Sequence, residues 1–258
     1  MIAEESSILE YSYNRVFTVD ASSSAYEGTY NAMQFNSFVF ILLLLPMTIL
    51  AYFVANKISL RLGKIIIIGA SVIFYSYSDW KAFNVLGISL IMNYTFIYLM
   101  GRFGRKRKVF MAVPIIINIG LLVYFKYFNF LILIVNEIFD NDYALMEIIQ
   151  PLGISFFTFQ QIAYVVAICN KEIENKSLVD YLIYILYFPK VLMGPLMDPV
   201  EFSRQIDDKA LKIIDCDNIA CGIKIFSLGL FKKVMIADVF AKGTAWGWAN
   251  ADKATAVD

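Results

Sequence analysis

MQFNSFVFILLLLPMTILAYFVANK, residues 33–57, decides the class of fold. Residues 36–55 of this stretch carry no charge, and about 20 mostly apolar residues are what a helix needs to cross a bilayer. Comparable runs follow at residues 63–77, 82–100, 109–139, 151–169, 178–197 and 218–241. Between them lie polar breaks: SDWK, GRFGRKRK, DNDY, NKEIENK and the acidic stretch before Asn218. The expectation is an all-α, polytopic transmembrane protein with about seven membrane segments, some short or broken.

Composition agrees. The chain is 59% hydrophobic and 17% charged, with a mean hydropathy of +0.64; soluble domains hold about 45–50% apolar and about 25% charged residues. Formal net charge is zero. With no basic arm and no interleaved basic and aromatic patch, nothing points to nucleic acid. Cys169, Cys216 and Cys221 form no CxxC pair, and the 258 residues hold no histidine. That pattern predicts free, buried thiols and no zinc site of ordinary ligand type. It also excludes a Ser–His–Asp or Cys–His arrangement within these residues.

Residues 1–32 are polar and acidic, with Glu4, Glu5, Glu10, Asp20 and Glu27 against Arg15 alone. No basic region precedes the first apolar run, so this is not an ordinary signal peptide. Either residues 1–32 are an extension or Met33 is the start. Basic residues mark the cytoplasmic ends of spans. Lys57, Arg61 and Lys64 follow the first run, and Arg102, Arg105, Lys106, Arg107 and Lys108 follow the third. Alternation then places the acidic N-terminus and the Asp140–Asp142 loop outside the cell.

Several polar residues interrupt the apolar runs. Lys126 sits between Phe125 and Tyr127, Lys190 follows Pro189, and Lys224, Lys232, Lys233 and Asp238 punctuate the last run. At membrane depth such groups line a cavity, find a partner or snorkel to the interface; Lys232 and Lys233 also suit a helix end. Pro189, Gly194, Pro195 and Pro199 cannot share one regular spanning helix. Their segment, YFPKVLMGPLMDP, reads as a broken helix against a cavity or as two short helices joined by a turn. PLGISFFTFQ, residues 151–160, places Pro151 where a first helical turn tolerates it. Ser155 and Thr158 then fall on one face, with Gln160 and Tyr164 on the adjacent stripe. Interhelical hydrogen bonding and a polar tunnel lining both fit that spacing.

Six stretches together resemble the membrane-bound O-acyltransferase family, in the bacterial branch that includes alginate O-acetyltransferases and teichoic-acid D-alanyl transfer proteins. They are MQFNSFVFILLLLP, FYSYSDWKAFNVLGISLIMNY, YFKYFNF, PLGISFFTFQQIAYVV, YFPKVLMGPLMDPVEF and GLFKKVMIAD. The resemblance implies a helical fold around a tunnel. It implies O-acylation, most simply O-acetylation of a cell-envelope or exported polysaccharide, from a cytoplasmic thioester (acetyl-CoA or an acyl carrier protein), with no bound cofactor or metal. A separate extracytoplasmic transferase is the implied partner, beside the lipid bilayer.

Ser155, Thr158, Gln160, Tyr164, Lys190, Gly194 and Pro195 become tunnel candidates on this basis, and Lys126, Lys224, Lys232 and Asp238 membrane-embedded polar ones. Two departures stand out. Ala167 occupies the place where the family has an acidic residue after its tyrosine, here Tyr164. The family's catalytic histidine, which follows the GLFKK–IAD block, has no counterpart up to Asp258. Residues 33–241 therefore resemble the N-terminal half of the fold, residues 242–258 a truncated loop, and the chain alone is expected to be inactive. A transporter, or a docking module for an envelope transferase, is the alternative.

Overall fold

The computed structural model describes residues 33, 35–78, 80–103, 107–148, 150–151, 153–173, 177–191, 197–209 and 212–249. All regular elements among them are helical. Four helices are long and apolar enough to cross a membrane: Phe40–Ile58, Leu60–Tyr77, Phe83–Arg102 and Arg107–Phe139. Their outward side chains, among them Leu42, Met47, Val54, Ile88, Ile91 and Ile116, are apolar and exposed, as a lipid-facing surface requires. The polytopic helical fold is the one the apolar runs predict.

The described chain forms two compact units. One comprises the described residues of 64–207 with Met33, and the other those of 35–63 and 208–249.

In the second unit, a π-helical turn at Phe40–Leu44 leads into α1 (Leu45–Ile58). Pro46 sits in the opening residues of α1, where a proline carries no interior penalty. Extended Ser59 ends α1 and caps α2 (Leu60–Ser78), whose residues from Lys64 on belong to the first unit, its Oγ accepting from Arg61 N at 3.2 Å. A Cβ at Gly63 would run into the Asn56 carboxamide, which donates to Tyr52 O at 3.0 Å; only glycine fits. Lys212 Nζ lies 5.7 Å from the centre of the Tyr52 ring. The unit also holds α10 (Cys216–Phe231) and α11 (Asp238–Ala249), joined without a break by a π-helical segment, Lys232–Ala237. This helix continues to Ala249, past Lys242, where the sequence suggested that a loop begins. All three cysteines are free, but Cys169 is only half-buried and Cys216 and Cys221 are exposed. The expectation of buried thiols fails because α10 exposes nearly all its side chains.

The first unit contains α3 (Trp80–Arg102), α4 (Arg107–Leu122), a π-helical turn at Val123–Tyr127, and α5 (Phe128–Phe139). Asp140, at φ 48°, reverses the chain after α5. The segment that follows runs back along that helix without forming one itself. Asn136 Nδ2 donates to Tyr143 O at 2.9 Å while its Oδ1 accepts from Tyr143 N at 3.0 Å. Asn129 treats Met146 the same way, at 2.8 and 3.0 Å. Seven helical residues and three extended ones each advance about 10 Å, so the two pairings stay in step.

α6 (Ile154–Cys169) is the core of this unit, packing on α3, α4, α7 (Leu178–Leu186) and α9 (Pro199–Asp207). Its start is set by Gly153 at φ 75°, a conformation costly for other residues. Pro151 therefore lies before the helix instead of in its first turn. Four fully buried polar side chains knit α3, α4 and α6: Ser89, Asn93, Asn118 and Gln161. Asn118 Nδ2 donates to Asn93 Oδ1 at 2.7 Å, and Ser89 Oγ donates to Gln161 Oε1 at 2.8 Å. Asn93 Nδ2 donates to the same Gln161 oxygen and to Ser89 O.

Hydrogen bonds between helices within membranes average only about 0.6 kcal/mol, because the unpacked helices find other partners. Leaving a buried acceptor bare costs more, about 1–3 kcal/mol. Asn118→Ala strips Asn93 Oδ1 of its donor and is expected to cost about 1 kcal/mol, with Asn129→Ala, at an exposed ladder, costing less. Thermal unfolding in detergent micelles checks the order, with a fall of about 2–4 °C expected for Asn118→Ala.

Candidate functional site

The residues between 177 and 207 form a broken, aromatic-lined segment against α6. Ser177 caps α7, accepting from the helix backbone while Asp180 Oδ2 accepts from Ser177 N at 3.1 Å. α7 stops at Leu186, and a single turn, α8 (Phe188–Val191), follows after Tyr187. The run at 178–197 is thus not one helix, as its prolines indicated. Ser71 on α2 resolves the break: its Oγ accepts the freed Phe188 N–H at 3.1 Å and donates to Ile67 O at 2.7 Å. Backbone freed within a membrane protein needs this kind of protein partner.

Rings fill the space between α6, α7 and α9. Tyr164 lies 5.3 Å from both Tyr181 and Tyr184, centre to centre, and Tyr94 stacks on Tyr181 at 5.7 Å. Phe202 packs edge-on against Tyr184 and Tyr187, at 5.5 Å from each. Lys190 enters this cluster. Its Nζ sits 3.4 Å from the centre of the Tyr184 ring and 4.6 Å from that of Phe202. The residue is 4% exposed, and Nζ has no hydrogen-bond partner among the described residues. A desolvated cation over an aromatic face gains about 2 kcal/mol per good contact. Removing an ammonium from water costs several kcal/mol. The rings offset that cost only in part.

A second buried lysine has a full set of partners. Lys64 on α2 donates to Asp180 Oδ1 and Asp207 Oδ1, both at 2.5 Å. One cation thereby ties the base of α2 to the start of α7 and the end of α9. Asp207 is the most open of the three, its side chain 38% exposed. Lys64→Met leaves two carboxylates facing each other and is expected to destabilise the chain by roughly 2–3 kcal/mol, below the usual range for a fully buried pair. Asp207→Asn is expected to cost under about 1 kcal/mol, and Asp180→Asn, which also weakens the α7 cap, to fall between them. Chemical denaturation of the three variants checks the ranking.

Among the tunnel candidates, the structure buries Thr158, Gln160, Tyr164 and Lys190 and leaves Ser155 half-buried. Tyr164 and Lys190 meet through Tyr184. Thr158 Oγ1 and both polar atoms of Gln160 have no partner among the described residues. Gly194 and Pro195 lie outside the described residues. Of the membrane-embedded candidates, Lys126, Lys224 and Lys232 are exposed and Asp238 is half-buried; none joins the aromatic cluster. Asp238 instead accepts from Lys233 Nζ at 2.6 Å. Five residues apart, the pair would diverge on a regular helix; the π-helical segment between them brings it together.

The residues that bind the helices to one another, Gln161, Asn93, Asn118 and Lys64, are absent from the sequence-derived candidates. Ser89 and Asn93, one turn apart, did carry a signal, as did the capping pattern Ser177–Asp180.

These features define a polytopic helical membrane protein with a buried polar and aromatic centre. Its homologues are bacterial O-acetyltransferases of the membrane-bound O-acyltransferase family. A peptidoglycan O-acetyltransferase of Helicobacter pylori is 31% identical over 86% of this chain and 47% of its own length. A probable alginate O-acetylase AlgI of Pseudomonas aeruginosa is 29% identical over 81% of this chain and 41% of its own. The corresponding protein of Azotobacter vinelandii is 27% identical over 81% and 42%. The chain spans about half the length of the curated relatives it matches. No family model and no solved structure matches it.

Proposed function

We propose that this chain is the N-terminal portion of a membrane O-acetyltransferase that modifies a cell-envelope or exported polysaccharide. The observation that carries the reading is the 31% identity over 86% of the chain to a protein named as a peptidoglycan O-acetyltransferase. The donor in this reading is a cytoplasmic acetyl thioester, acetyl-CoA or an acetylated carrier protein. An acceptor hydroxyl attacks the thioester carbonyl, a carbon–oxygen bond forms, the carbon–sulfur bond breaks, and the hydroxyl proton passes through a base to the departing sulfur.

These 258 residues contain no histidine, so a histidine base comes from elsewhere in the enzyme. What this chain contributes is wall and positioning. In this reading the role falls to Gln160, Tyr164 and Lys190, on helices fixed by the Asn93–Gln161 network and the Lys64 ion pairs. A separate extracytoplasmic transferase is the proposed partner for delivery to the polymer.

Disrupting the gene in its native cell is expected to lower the acetyl content of one envelope polysaccharide; unchanged acetylation overturns the reading. Purified residues 1–258, given radiolabelled acetyl-CoA and that polymer, are expected to transfer nothing, since loss of a placed general base alone costs about 10²–10⁴ in rate.

The proposed orientation puts residues 102–108 in the cytoplasm and residues 140–148 outside. In a variant whose three native cysteines are replaced by serine, Asn141→Cys is expected to react with an impermeant maleimide in intact cells. Arg102→Cys is expected to react only after permeabilisation. The reverse pattern inverts the topology.

A further inference from the structure

Lys190 is a buried lysine whose Nζ has no hydrogen-bond partner among the described residues. Two ring faces hold it, and both rings are themselves fixed. Tyr184 donates from its hydroxyl to Met197 O at 2.7 Å, and Phe202 is wedged between Tyr184 and Tyr187. The acids on the surrounding elements are engaged elsewhere. Asp180 and Asp207 accept from Lys64. Asp198 Oδ1 accepts from Val200 N at 3.0 Å. Glu201 accepts from Arg204 and Gln205, whose hydrogen bonds hold its carboxyl below the usual range. The sequence of residues 191–196, VLMGPL, contains no acid.

A π face attracts a cation but accepts none of its N–H bonds in the way that an oxygen does. Among the described residues Lys190 therefore keeps its N–H donors without an acceptor, against two ring faces and out of water, where an oxyanion binds more strongly than it would in water. We propose that Lys190, with the ring faces of Tyr184 and Phe202, is the seat of an oxyanion-binding site that takes one phosphate or carboxylate group of a ligand. The site goes beyond the acyl-transfer reading and holds whatever reaction follows. Two ligand sources share this chemistry: the phosphates of a nucleotide-bearing thioester carrier, and the carboxylate of an acidic sugar.

Calorimetry on the chain in neutral detergent tests this with four probes: coenzyme A, phosphate-free pantetheine, galacturonate and methyl galactoside. One anionic probe is expected to bind more tightly than its neutral counterpart, and K190M to weaken that probe about ten- to a hundredfold, the worth of one charged hydrogen bond. K190R is expected to retain most of the binding. Preference for coenzyme A over pantetheine identifies the phosphate source, and preference for galacturonate over methyl galactoside the carboxylate source. No preference for either anion, or equal binding by wild type and K190M, overturns the site. If K190M does not fold, Y184L, which removes one ring face and keeps the charge, is expected to weaken the same probe, and undiminished binding by it overturns the site. Gene disruption that abolishes polymer acetylation alongside a null calorimetric result would reject the anion site and leave the acyl-transfer reading intact.

Discussion

A single carboxamide oxygen, Oε1 of Gln161, accepts hydrogen bonds from Asn93 and Ser89 and so gathers α3 and α6, with Asn118 bringing in α4 through Asn93. In hydrocarbon, apolar faces give helices no preferred partner, because lipid tails serve them as well as leucine does. Polar groups that cannot reach water do have a preference, and it is directional. The position of α6 depends on this network, and the aromatic segment from Tyr181 to Phe202 is laid against α6. The placement of the aromatic segment thus rests on hydrogen bonds among α3, α4 and α6.

The two buried lysines divide the work. Lys64 is matched by two carboxylates and fixes three helix ends. Among the described residues Lys190 is matched by none and faces the rings of Tyr184 and Phe202. Both lie in apolar surroundings, yet their surroundings suit opposite ends. A charge satisfied inside the protein holds structure together, whereas one left short of an acceptor favours whatever anion arrives. Ser71 belongs with Lys64 in this division, since its hydroxyl completes the backbone that the α7–α8 break would otherwise leave bare.

The spans were legible in sequence because each depends on a local count of apolar residues, and so was the break after Leu186, because prolines act where they stand. The pairings were not. Gln160 and Gln161 are neighbours in sequence and about 100° apart on the helix. Nothing local says which one meets Asn93, and the structure assigns that role to Gln161 while Gln160 has no partner among the described residues. Lys64 meets acids 116 and 143 residues further along the chain, a separation that periodicity does not carry. Lys126 and Lys224 stood out as charges in greasy runs, but that measure ignores which way a side chain faces, and both are exposed. The family likeness supplied what spacing could not, by placing PLGISFFTFQ and the proline-rich block in one fold.

The return of residues 141–148 along α5 has a consequence for how this surface can change. Asn129 and Asn136 grip only main-chain atoms, those of Met146 and Tyr143. The path of the segment is therefore written in the helix, and the segment's own side chains are left free to vary. Over evolutionary time such an arrangement lets an exposed strip be rewritten residue by residue without moving the backbone that displays it.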